Sequence, residues 1–460
     1  MTFTQLRLIH PRLIYKQFEI RENKDAIDIR HEFILEPDIS FSSNVSIPHH
    51  GHVDKERLAP FAFHLGLVEA ISYWKAACPS EFVIEAGYLS VEQVRFWYDL
   101  FIHGLGEFFY RNQIDFTQKD FLTIRSTATS KVRHASFNIQ AKGDLMLIGG
   151  GKDSAVTSGM LKRSDRTIQT MIVNPTKAAL DTIQISGFSA PIIVTRTMDP
   201  ALVRLNKDGY LNGHTPFSAY LAFLGITVAA LHDFEHVIVS NERSANEGNV
   251  MYRGLEVNHQ YSKSFRFEAA FREYVNASFT ESATYFSMLR PLNDVQIARL
   301  FAGFPQYFDS FRSCNVGSKQ GVWCGACPKC AFTYLILSPF LTSVDMNRIF
   351  GRDYFLDDVI LGYIAQLVGL KPIKPFECVG TRDETKLALL LYIQKCLDES
   401  REIPEGLLKI KSDLNVSSAD ITFLREHVLD EWGDTFNLPD EYLSVLRQSW
   451  ETLLDAPKYG

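Results

Sequence analysis

Gly149-Gly150-Gly151-Lys152-Asp153-Ser154 combines, in six consecutive residues, groups suited to holding a phosphate. The run follows the apolar Leu145-Met146-Leu147-Ile148 and leads into a helix-compatible stretch. Three glycines let the backbone turn tightly and aim several N–H groups at one point. A helix starting there adds the positive end of its dipole. Gly149, Gly150 and Gly151 then offer amides, Lys152 a point charge and Ser154 a hydroxyl. Asp153 is the odd member, because a carboxylate repels phosphate unless a metal stands between them. A bridging Mg²⁺ resolves this by taking oxygen ligands from both, and makes Lys152 and Asp153 candidate catalytic residues. Asp153 as a simple helix cap is the plainer role, compatible with the first. Spacing excludes two other nucleotide loops. Lys152 is followed by Asp153 and position 146 is Met, which rules out a Walker loop. Ser154 stands where a dinucleotide fingerprint needs its third glycine. A glycine-rich turn with no ligand is the bland alternative.

Cys314, Cys324, Cys327 and Cys330 form the pattern C-x9-C-x2-C-x2-C, with Gly325 and Pro328 supplying turns. Four thiols at this spacing suit tetrahedral Zn²⁺, and four protein ligands make such a metal structural. Disulfides are the competitor. Seven cysteines, four of them clustered, suggest a reducing, cytoplasmic setting instead. Polar residues are also dense in Ser240–Asn249 and Glu256–Ser264, with Asn212–Pro216 a weaker candidate nucleotide loop. A solvated loop is the plain reading of each. Cys378 sits beside Glu377, Arg382, Asp383 and Glu384. An isolated cysteine is usually a small core residue, but a thiol flanked by titratable groups can act as acid or base.

These residues need a scaffold, and the sequence describes an α/β one. The 460 residues are 46% hydrophobic, ample for two or three domains. Strands are expected at Leu13–Ile20, Ala26–Leu35, Phe82–Glu85, Leu145–Ile148, Thr170–Val173, Pro191–Thr195 and His236–Ser240. Helices are expected around Leu58–Ala77 and Ser90–Arg111. The short apolar strands after position 143 alternate with helices, the signature of a parallel sheet covered on both faces. Ligands bind at the C-terminal ends of such strands. Gly149 to Gly151, Asn174, and Asn241 with Glu242 lie at three of those ends, forming the candidate nucleotide pocket. Pro216–Leu231 is too short and punctuated for a membrane span and reads as a buried helix. Amphipathic stretches recur at Asp357–Val368, Glu384–Cys396, Ala419–Leu429 and Glu441–Leu454. The expected division is an N-terminal α+β module, 1–140, a nucleotide-binding domain carrying the cysteines, 141–337, and a helical domain, 338–460. Net charge is −7, which disfavours a nucleic-acid partner, and the N-terminus lacks the apolar run of a secretion signal. The oligomeric state is left open.

The glycine loop resembles the Ser-Gly-Gly-x-Asp-Ser loop of the PP-loop ATP pyrophosphatases, with Gly149 replacing the first serine. That resemblance implies a HUP-like parallel-sheet core and cleavage of ATP to AMP and diphosphate. The cysteine pattern is similar to the zinc site of the 7-cyano-7-deazaguanine synthases. Taken with Asn212-Gly-His-Thr-Pro216, Ser240–Asn246, Asn258–Lys263 and Pro375–Thr381, the loop resembles the UDP-N-acetylmuramoyl-L-alanyl-L-glutamate epimerase family over nearly the full chain. The resemblance implies ATP- and Mg²⁺-dependent inversion of the terminal L-glutamate of a UDP-linked muramoyl dipeptide, for peptidoglycan synthesis. The chemistry is coherent. Adenylating a carboxylate removes the charge that makes its α-hydrogen hard to abstract. Cys378 and His259 are the proton-transfer candidates. Three rivals stay open: a ligase or amidotransferase adenylating another carboxylate, a tRNA-modifying PP-loop enzyme, and a zinc-stabilised nucleotide sensor.

Overall fold

The computed structural model describes residues 1–128, 143–279, 283–317 and 320–455. Its strands are β1 (Arg12–Glu22), β2 (Ala26–Leu35), β3 (Ile39–Pro48), β4 (Glu81–Ile84), β5 (Thr123–Ser126), β6 (Asp144–Leu147), β7 (Ile168–Val173), β8 (Ile192–Thr197), β9 (His236–Val239), β10 (Val250–Tyr252), β11 (Leu255–Val257) and β12 (Thr284–Ser287). Ten of them make one sheet in the order β12-β9-β6-β7-β8-β3-β2-β1-β4-β5, and β10 pairs with β11 apart from it.

The first five strands of that order are mutually parallel, as the covered apolar runs predict. The chain leaves β6 toward β7 and β8 on one side, then returns to lay β9 and β12 on the other. A topological switch point therefore lies between β6 and β9, where open α/β sheets bind ligands. The N-terminal half is a β1–β2–β3 meander with β4 and β5 parallel to β1. Three antiparallel positions join the halves: Asn44 to Thr197, Val45 to Arg196 and Ser46 to Thr195. The expected N-terminal module thus shares its sheet with the parallel core. The 140/141 boundary lies outside the described residues.

Strand alternation divides the interior into two cores. Leu145, Leu147, Val237, Val239 and Tyr285 face one, shared with Leu65 and Ile71 of helix Lys55–Trp74 and with Leu224 and Val228 of helix Phe217–His232. Met146, Ile148, Ile238 and Phe286 face the other, shared with Val156 of Lys152–Leu161, Leu335 of Pro328–Leu337 and Leu389 of Arg382–Asp398. Each fully buried side chain of this kind contributes about 1.5–3 kcal/mol. Helix Phe217–His232 is the buried segment expected from its composition. A Cβ at Gly225 would come within 2.7 Å of Val237, so glycine sets how closely helix meets sheet. Among the described residues, no helix is long and apolar enough to cross a membrane.

Two expected helices are broken. Ser90–Arg111 is Val91–Gly104 followed by Gly106–Arg111, and Ala419–Leu429 starts as Ser418–Leu424 and widens into a π-helical turn, Arg425–Asp430. Strand β3 had a legible alternation, with Phe41, Val45 and Ile47 buried, that the sequence reading passed over.

Candidate functional site

The glycine loop leaves β6 at the switch point. Gly150 has φ +80°, and a Cβ there would lie 2.5 Å from the Ala179 amide nitrogen, so only glycine fits. At Gly149 a Cβ would meet nothing within 4 Å. Space therefore does not dictate glycine where the resembling loops carry serine. Gly151 caps helix Lys152–Leu161 without a side-chain hydrogen bond of its own, and of the first-turn amides that of Lys152 is taken by Ser313 Oγ. Ser154 Oγ accepts from the Gly150 amide (3.1 Å) and donates to the Gly151 carbonyl (3.0 Å), so it shapes the loop from within.

Lys152 is buried, with 3% exposure, and its ammonium is turned inward. It pairs with Asp153 and, at 2.8 Å, with Asp294 Oδ1. Burial opposes its charge, but the two carboxylates outweigh that and raise its pKa. Asp294 starts helix Asp294–Ala302, and its amide donates to Ser244 Oγ (3.0 Å) and Glu384 Oε1 (2.6 Å). Burial and then Asp294 push the Glu384 carboxyl up to about 7. Lys152 thus holds two carboxylates together rather than standing open at the loop. Oxygen ligands gathered this way suit Mg²⁺, with Asp153 the more exposed of the pair.

The polar stretches flank this loop. Asn249 binds the Pro375 carbonyl (2.7 Å) and accepts from the His259 amide (2.8 Å), while Gln260 donates to the Val379 carbonyl (3.1 Å). These straps hold the Cys378 loop beside His259, where thiol and imidazole shift each other's titration. His259 Nδ1 lies 2.5 Å from Glu107 Oε2. Glu107 also pairs with Arg111, and the His214 ring lies tilted by 45° against His259 at 4.2 Å between ring centroids. The result is a thiol–imidazole–carboxylate relay. Burial alone would raise the Cys378 pKa, but Lys263, His259 and Lys329 bring it down to about 5. His259 is pushed up to about 9: burial opposes its charge, and Cys378 and Glu107 override that. The thiolate of Cys378 and the imidazolium of His259 therefore favour each other.

Lys263 links relay and loop. Burial disfavours its charge, yet Cys378, Glu242, Asp153 and Asp294 together raise its pKa. Glu242 is buried, its Oε2 has no hydrogen-bond partner among the described residues, and burial pushes its carboxyl up to about 7. Of the other predicted strand-end residues, Asn174 is committed elsewhere. Asn174 is exposed and ties both ends of its amide to the Arg196 backbone, at 2.8 and 2.9 Å. Asn241 is buried against the Tyr285 hydroxyl.

The four cysteines converge, every sulfur within 4.8 Å of the others. Cys314 to Cys327 is 3.9 Å and Cys324 to Cys330 is 3.7 Å, and all four are free thiols. Tetrahedral zinc with bonds of about 2.3 Å separates sulfurs by about 3.8 Å, so the set fits that metal. The unit also reaches the site. Just before Cys314, the Arg312 amide donates to the Gly150 carbonyl (2.8 Å) and Ser313 Oγ accepts from the Lys152 amide (3.4 Å). Just after it, Asn315 donates to Glu377 (2.7 Å), the neighbour of Cys378.

Comparison with known proteins bears on this arrangement. Residues 7–288 match the MurL N-terminal domain and residues 310–412 the MurL C-terminal domain. The chain belongs to the MurL family. It is 35% identical over 346 residues to a UDP-N-acetyl-alpha-D-muramoyl-L-alanyl-L-glutamate epimerase of Micromonospora, covering 74% of this chain and 76% of that one. It is 34% identical over 340 residues to a protein of the same name from Xanthomonas oryzae pv. oryzae, covering 72% and 74%. A Salinispora tropica protein of that name is 33% identical over 333 residues, covering 71% and 72%. No solved structure matches.

The MurL domains divide the site between them. The glycine loop, Glu107, Glu242 and His259 lie in the N-terminal match; Cys378 and the four cysteines lie in the C-terminal one. The Cys378–His259 contact therefore joins the two. Glu107 and Asp294 were not found by sequence reasoning. The available signals were a glutamate inside the aromatic run Gly106-Glu-Phe-Phe-Tyr110 and the helix start Asn293-Asp294.

Proposed function

We propose that this chain is an ATP-dependent epimerase that inverts the terminal L-glutamate of UDP-MurNAc-L-Ala-L-Glu through an acyl-adenylate, releasing AMP and diphosphate. The observation that carries this reading is the thiol–imidazole–carboxylate relay beside a phosphate-binding loop, in a chain whose relatives bear that epimerase's name. A PP-loop nucleotide core is consistent with the strand order and the loop at the switch point. The amides of Gly149 and Gly151 and the helix N-terminus would receive ATP phosphates. Mg²⁺ held by Asp153, with Asp294 alongside, would offset phosphate charge. Adenylation strips the glutamate carboxylate of its charge, and His259, oriented by Glu107, exchanges the acidified α-proton.

Running the reaction with this substrate, ATP and Mg²⁺ in D₂O should place deuterium at the glutamate α-carbon and give the D-glutamyl product. AMP should form with no nitrogen source, which a ligase would require. Unlabelled product would overturn α-deprotonation, and D-glutamate without AMP would overturn adenylation.

The four cysteines are proposed to hold one structural Zn²⁺. Metal analysis should find about one zinc per chain. Chelation, or Cys314→Ser, should lower both Tm and ATP-dependent activity, because the segment through Arg312 and Ser313 braces the glycine loop. Full activity in a zinc-free preparation would refute that role.

A further inference from the structure

Adenylation needs the glycine loop and its carboxylates, and α-proton exchange needs one base oriented by one partner. Neither uses the property that the fold builds most elaborately at Cys378, a half-buried thiol whose ionised form its surroundings favour. Three cationic groups converge on it: Lys263, Lys329 and His259. Four straps, from Asn249, Gln260, Lys374 and Asn315, hold its loop in place. Such an environment is that of a nucleophile. The nearest electrophile on the proposed pathway is the glutamyl adenylate, whose phosphate end belongs at the glycine loop. Lys263 spans the gap, in charge contact with Cys378 on one side and Asp153 and Asp294 on the other.

We propose that Cys378 takes the activated glutamyl carbonyl from AMP as a thioester, and that the α-carbon is inverted on this covalent intermediate. The inference rests on the ATP-dependent activation proposed above. The Sγ–C bond forms as the C–O bond to AMP breaks, and that electron pair leaves with the phosphate. Acylation removes one of the two anions that hold His259 charged, leaving Glu107 on Nδ1, so its imidazolium gives the Nε2 proton to water and Nε2 becomes a free base. The α-proton passes to Nε2, leaving a thioester enolate. Glu242, buried with an unpartnered carboxyl oxygen, donates a proton to the other face. Water then adds to the carbonyl and the C–S bond breaks, restoring the thiolate. One of water's protons returns to Glu242 and the other goes to solvent. A thioester suits this step because sulfur donates less into the carbonyl than oxygen or nitrogen, leaving the α-proton more acidic.

The test uses the full chain with UDP-MurNAc-L-Ala-L-[¹⁴C]Glu, ATP and Mg²⁺, quenched in acid during turnover. Wild type or Cys378→Ser, which deacylates slowly as an oxygen ester, should carry ATP-dependent label on the denatured chain. Peptide mass spectrometry should map it to position 378, and in the wild type neutral hydroxylamine should release it. Cys378→Ala should keep substrate-dependent ATP–pyrophosphate exchange within about twofold while losing epimerisation by about 10²-fold or more. The thioester is overturned if Cys378→Ala epimerises at near wild-type rate, or if neither wild type nor Cys378→Ser ever carries label while AMP is released. Absence of pyrophosphate exchange in the wild type would strike the activation reading itself, and the thioester with it.

Discussion

Lys152→Met is expected to lower stability by about 3–5 kcal/mol at pH 8, as breaking a buried ion pair from one side does. The ammonium is the shared partner of Asp153 and Asp294, and the Asp294 side chain is only 6% exposed. Without it, two carboxylates face each other, one half-exposed and one buried at the head of a helix whose first amide also holds Glu384. Protonation relieves that repulsion, so the deficit should shrink as pH falls. Chemical denaturation at pH 8 and pH 5.5 measures both quantities. Adding Asp294→Asn should recover part of the loss at pH 8, since one unpaired charge is gone. A Lys152→Met chain as stable as wild type at pH 8 would refute this account. Pyrophosphate exchange should fall in step, because the helix bearing Lys152 is the one whose N-terminus faces the ligand.

Glu107→Gln should cost about 10²–10⁴-fold in epimerisation, the range for a proton-transfer system that loses its orienting carboxylate. Glu107 is a positioning residue: it touches the ring of His259, not the substrate. Glutamine keeps the shape but supplies no charge, so the imidazolium loses a stabilising partner and gives up its proton at lower pH. The His259 midpoint should therefore move down from about 9, which histidine NMR reads directly. Cys378, with a weaker cation beside it, should move up from about 5, as iodoacetamide alkylation against pH would show. In the wild type, kcat/KM should fall below about pH 5, as the thiolate protonates. Pyrophosphate exchange should survive in Glu107→Gln, because adenylation does not use the relay. A variant that loses exchange and epimerisation equally would mean that Glu107 merely supports the fold.

The elements legible in the sequence are those whose partners are near in the chain. The glycine loop carries its chemistry within six residues, and the four cysteines fall within a short loop and one helix turn. Strands β6, β7 and β9 announce themselves because both faces are covered and their runs are mostly apolar. Cys378 and His259 could be named but not joined. Their contact depends on straps from Asn249 and Gln260 that no local pattern encodes. Glu107 lies 152 positions from His259, and Asp294 lies 142 from Lys152. Each reads alone as an ordinary acidic residue at a helix. Asn174 is the converse case. An asparagine at a strand end has a ligand's chemistry, and here its amide is consumed by the Arg196 backbone.

The seam between β3 and β8 has a consequence for anyone who would divide this chain. Only three residue positions hold it, backed by the two-pronged Arg196–Glu69 pair at 2.9 Å. Expressed as separate pieces, the N-terminal meander would present β3 as a raw edge, and the parallel half would present β8. Each would offer a row of unsatisfied amides and carbonyls to any neighbour. The fragments should therefore stick to themselves in solution, and reassemble with each other only in competition with that self-association. Co-expression, rather than mixing after purification, is the way to obtain a split form of this enzyme.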